Sequence, residues 1–254
     1  MLIWVGGVTT TILVTALSAW ATKAPEFVFG TPKKAGIGVH VSWPTNAGCD
    51  VQSAVAMPAG GRPLDSLQFT FEQDPRTTAA KAGAASWENG TLQLTLTNRA
   101  ADPLHVESVQ PRVVRTEPRP RLDWVLEKPK GCGGGEAQRS LKYDLDRDRL
   151  LIREGEEESP YGSGGDSSLS GLTVTRDKPA YLRFAVRSCR AYYEWVVDIT
   201  YTIGNERLSH RVDGLRSAGG VAGVPVYTMT ANPDGTRKTE PSGRVTSARC
   251  ASKG

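Results

Sequence analysis

An all-β fold is what this sequence predicts, and three features carry the prediction. Short segments in which apolar and polar residues alternate recur along the chain, separated by turn formers. Valine, threonine, 27 glycines and 16 prolines outweigh the strong helix formers, which favours strands and turns. Short strands at regular spacing with little helix argue for two packed sheets rather than a parallel α/β sheet. The expected architecture is a β-sandwich, immunoglobulin-like in general form, with one N-terminal transmembrane helix and a short helix in the first third. At 254 residues and 39% hydrophobic content, the chain can bury one sizeable core.

Residues 1–22 form the expected anchor. No side chain from Met1 to Ala21 is charged, and at helical rise the stretch spans about 30 Å, one hydrocarbon core. Trp4 and Trp20 mark its two ends, where indole rings favour the membrane interface. Ala19-Trp20-Ala21 has the form of a signal-peptide cleavage site, but no basic residue precedes the long apolar run, which favours an uncleaved anchor. Residues 23–37 read as a spacer, 38–228 as the β domain and 229–254 as a flexible tail with little to bury.

Within the domain, 38–43 alternates as a strand, and 44–50 is rich in turn formers. Asp74 is placed to cap a short helix over 77–85, with Pro75 suited to its first turn. Asn89-Gly90 reads as a tight turn into 91–97, whose three leucines share one face. The next strand is 104–116, bulged or broken near Pro111; Pro118, Pro120 and Pro129 make the succeeding stretch an edge or loop. Segments 140–145, 172–175, 180–187 and 192–202 read as strands, the last central in a sheet, with 206–212 as its hairpin partner. The acidic, then serine- and glycine-rich stretch 154–171 reads as a surface loop.

Four cysteines, Cys49, Cys132, Cys189 and Cys250, are widely spaced and form no CxxC pair. In a β-rich chain behind a hydrophobic leader this pattern suggests disulfides made in an oxidising compartment, although four buried thiols fit the same spacing. The expected bridge joins Cys132 to Cys189, and loop-closure entropy assigns it about 4 kcal/mol. A second, Cys49 with Cys250, is weaker. The cysteines place the domain outside the cytoplasm. Lys23, Lys33 and Lys34, all after the apolar run, argue for the reverse orientation, a conflict that a start codon set too far downstream would explain.

Chemistry-bearing motifs are sparse. A net charge of +4 is too mild for nucleic acid, and the basic residues gather on no helix or aromatic ladder. Gly131 to Gly135 follows no Walker pattern and suits a turn needing positive φ. Asp144, Asp146 and Asp148 alternate as in a calcium loop, but Arg149 and Gly155 stand where that loop needs glycine and glutamate, so a solvated face is the plainer reading. His40, His105 and His210 lie far apart. Trp43, Trp87, Trp124 and Trp195 suit a core better than a sugar platform, and Glu156 to Glu158 suits a solvated loop. No catalytic, cofactor-binding or metal-ligating residue is therefore expected.

Gly131-Cys132-Gly133-Gly134-Gly135, Arg139-Ser140, Asp144-Leu145-Asp146, and Ser188-Cys189 before an aromatic strand ending near Asp198 together resemble a family of uncharacterised actinobacterial membrane proteins. Arg211-Val212-Asp213 and Gly223-Val224-Pro225 fit as well, and the likeness spans residues 40–228. It implies one transmembrane segment, an extracytoplasmic sandwich-like domain and no assigned activity. Tyr193 stands where the family pattern expects tryptophan, and 216–222 looks inserted. The expected role is a membrane-anchored, non-catalytic module that binds a protein or cell-envelope partner. Two alternatives are an envelope-facing hydrolase with a carboxylate site and a scaffold or assembly subunit.

Overall fold

The computed structural model describes residues 36–45, 54–70, 74–118, 120–127, 139–154, 171–231 and 237–245. The chain divides into two units, Met1–Gly36 and Ile37–Gly254, and all but one of the described residues fall in the second. The anchor expected at 1–22 lies outside the described residues. Among those described, no helix is long and apolar enough to cross a membrane.

The described residues are mostly strand and form two sheets. The smaller runs in the order β1 (Ile37–Thr45), β4 (Asn89–Asn98), β10 (Ala180–Arg187), β7 (Arg139–Asp144) and β8 (Arg149–Glu154). Its neighbours are antiparallel except β10 with β7. The larger runs β14 (Arg237–Arg244), β13 (Pro225–Ala231), β6 (Leu122–Glu127), β2 (Ala54–Pro58), β3 (Ala85–Trp87), β12 (Glu206–Ala218), β11 (Ala191–Ile203), β5 (Leu104–Pro118) and β9 (Leu172–Val174). Here β12 with β3 and β13 with β6 are the parallel pairs.

Alternation builds the main core. Leu92, Leu94 and Leu96 of β4 and Leu182, Phe184 and Val186 of β10 share one cluster with Trp195, Val197 and Ile199 of β11. The polar residues between them face outward, as a half-buried strand requires. Trp195 is fully buried; the Trp43 ring meets it edge-on at 5.2 Å and Tyr143 lies 5.8 Å away. Aromatic pairs of this geometry contribute about 0.5–1.5 kcal/mol beyond their area.

The other half of the larger sheet is covered on both faces. Ala54, Ala56, Trp87 and Val125 form one cluster, and Val55, Met57, Trp124 and Leu126 another with Ala79 of the helix α1 (Pro75–Lys81). Asp74 caps α1 by accepting from the Arg76 backbone N–H at 2.9 Å, and its carboxylate pairs with the fully buried Arg76 guanidinium. A buried cation needs such a partner, because desolvating it alone costs several kcal/mol.

The structure corrects several expectations. The helix stops at Lys81, four residues early, because Ala85–Trp87 joins the sheet as β3. Gly90 lies inside β4 and has no positive φ; the chain turns at Glu88, whose φ is 56°. A side chain at Gly90 would collide with Ser86 and sit 2.8 Å from the Trp43 ring, so close approach explains this glycine. β5 continues through Pro111, and its bulges fall elsewhere, beside Val114 and Glu107. Beyond Val106 no strand among the described residues covers the outer side of β5, and the Val113 N–H, two residues past Pro111, goes to Asp148 at 3.1 Å. By the strand's period of two, the N–H that Pro111 lacks lies on that same side, away from the β11 ladder. The stretch expected as an edge or loop holds β6, interior to the larger sheet. The tail expected from 229 onward instead contains the end of β13 and all of β14, paired as a hairpin. β14 joins through its backbone while its side chains stay largely exposed, so its sequence carries no apolar signal.

Candidate functional site

Both chain crossings between the sheets that flank the core's aromatic centre occur at one corner. β3 passes into β4 at Glu88, and β10 passes into β11 through Ser188, Cys189 and Arg190. The Ser188 N–H donates to the Glu88 carbonyl at 2.7 Å, and the Glu88 N–H to the Ala218 carbonyl at 2.7 Å. Gly219 packs so tightly here that a Cβ would collide with the Ser188 carbonyl, 2.8 Å from its carbon. Arg187 Nε donates to the Cys189 Sγ at 3.1 Å. Cys49, Cys132 and Cys250 all lie outside the described residues, so the expected pairings remain proposals. Gly131 to Gly135 and Glu156 to Glu158 lie outside them too.

The three aspartates at 144, 146 and 148 serve this corner in separate directions. Asp146 accepts from the Cys189 N–H at 3.0 Å, the Arg190 N–H at 3.1 Å and the Tyr193 hydroxyl at 2.6 Å. Asp144 accepts from the Asp146 N–H at 2.9 Å, forming a tight turn. Asp148, at φ 49°, accepts from the Tyr143 hydroxyl and the Val113 N–H. Burial, reinforced by these carboxylates, pushes the Tyr143 and Tyr193 phenols well above the ordinary tyrosine value. Alternating aspartates thus work as three separate clamps rather than one converging ligand set.

The other expected candidates are dispersed. His40 is exposed on β1, His105 is exposed on β5 beside Thr173, and His210 is half-buried on β12. Among the described residues no group of three His, Cys, Asp or Glu side chains could hold a metal ion. Trp87, Trp124 and Trp195 are buried and Trp43 packs against the core, as expected.

A cleft of about 440 Å³ opens where four strand ends meet. Pro58 and Ala59 enter it from the end of β2, and Pro120 from the connection between β5 and β6. The Ala59 N–H donates to the Arg121 carbonyl at 2.9 Å, fixing this wall. Tyr192 and Glu194, at the start of β11, lie opposite Glu117 and Arg115 of β5 in the ladder. Arg115 is shared by two carboxylates, Glu194 at 3.4 Å and Glu117 at 3.6 Å. Burial raises the Tyr192 phenol, an effect that Arg216 opposes and Glu194 reinforces, so at neutral pH this hydroxyl remains a donor. Arg121 also lines the cleft, and its side chain has no ion-pair partner among the described residues.

The same outer face of β5, β11 and β12 carries further arginine–carboxylate rungs. Asp198 accepts from Arg112 at 2.8 Å and Arg211 at 2.7 Å, and Arg207 pairs with Glu107 at 2.7 Å. Although burial works to raise the Asp198 carboxyl, the bonds from Arg211 and Arg112 hold it below its ordinary value. Sequence reading missed the cleft. Its one local trace is the alternation Glu117-Pro118-Arg119-Pro120-Arg121, which fits no strand or helix pattern. No protein-family model matches the chain, and neither a curated protein nor a solved structure shows significant similarity to it.

Proposed function

We propose that the chain is a non-catalytic interaction module, held at the cell membrane by residues 1–22 with its β domain outside the cytoplasm. The observation that carries this reading is the cleft: its two carboxylates are both engaged by Arg115, an arrangement suited to holding a charged partner. General acid–base chemistry asks for carboxyl groups placed in contrasting environments, and Glu117 and Glu194 share one cation instead. The immunoglobulin-like sandwich is the finer description favoured by the two sheets and their common core. A disulfide at Cys189 belongs to the same proposal and would suit an oxidising compartment. Cys132 is its proposed partner, with Cys49 and Cys250 proposed as a second bridge, in keeping with the likeness to anchored actinobacterial proteins.

The reading is tested by placing the photo-crosslinker benzoylphenylalanine at Glu117 or Arg121, and at Tyr181 on the smaller sheet as control, in cells that make the protein. A discrete adduct of one partner from the cleft positions alone is expected. Adducts that appear equally from Tyr181, or none at the cleft, would overturn it. In the same cells, a free thiol at Cys189 before reduction would overturn the extracytoplasmic placement.

A further inference from the structure

We draw no further inference here: the strongest candidate, the outer edge of β1, where Val41 is 39% exposed and neither a charged side chain nor a proline interrupts Ile37 to Trp43, carries nothing because nothing in the structure shows what covers it.

Discussion

Replacing Asp146 with alanine removes one carboxylate that holds three donors on the β10–β11 crossing: the Cys189 and Arg190 N–H groups and the Tyr193 hydroxyl. Arg190 is exposed, so water takes the place of the carboxylate there. Tyr193 is only 5% exposed and the Cys189 bond is partly buried. Stranding a buried donor costs about 1–3 kcal/mol, so these two together predict a loss of about 2–6 kcal/mol. Asp146→Asn keeps one acceptor oxygen and should lose roughly half as much. A double-mutant cycle with Tyr193→Phe should return a coupling of about 1–2 kcal/mol, since the two groups share one bond. The assay is urea unfolding followed by tryptophan fluorescence, with hydrogen exchange read at Cys189 and Arg190. If Asp146→Ala leaves the unfolding midpoint unchanged and the Cys189 amide as protected as before, the corner does not depend on this clamp. The proposed disulfide at Cys189 would then be left to hold the crossing.

Gly219→Ala should destabilise by about 1–3 kcal/mol or more, because the new methyl meets the Ser188 backbone and no side chain can swing aside; thermal unfolding checks it, and a neutral result refutes the close contact. Alkaline stability should fall as well. The folded state keeps the Tyr143 and Tyr193 protons that the unfolded chain releases, so their contribution is complete below about pH 10 and is lost as pH rises through the raised folded values. The slope is about 1.4 kcal/mol per pH unit for each tyrosine; Tyr143→Phe with Tyr193→Phe should flatten it, and phenolate absorbance should rise only on unfolding. Asp198 works with the opposite sign. Its lowered carboxyl contributes stability above the unfolded value and loses it as pH falls through the folded one. At 30% side-chain exposure the effect is small, so Asp198→Asn should cost less than about 1 kcal/mol at neutral pH, shrink in high salt and flatten the acid limb of stability against pH.

Legibility followed burial. β4, β10 and β11 were readable because one face of each meets the core and the other meets polar surroundings, which writes a period of two into the residues. β2 and β6 are covered on both faces, so Ala54-Val55-Ala56-Met57 and Trp124-Val125-Leu126 are continuous apolar runs without a period, and nearby prolines disguised β6 as a loop. β14 failed for the converse reason: little of it is buried, and backbone pairing with β13 alone recruits it. The start of α1 was written locally in Asp74 and Pro75, but its end was set by β3 pairing with β2, which Ala82 to Ala85 do not advertise.

What the amino-acid order determined by itself was the all-β character, the central strands and the helix cap, whereas the aspartate triplet read as a solvated face although Asp144 is buried. The job of each aspartate was decided only when folding brought residues 144–148 beside 188–193, a separation of more than forty residues. The cleft is more remote still, joining Pro58, Arg115, Arg121 and Tyr192 from four strand ends. Local chemistry can specify a cap or an alternating face, because the interacting atoms lie within a few residues of one another. A binding surface made by converging strand ends has no local signature, because its charge balance and shape exist only after the sheets have paired.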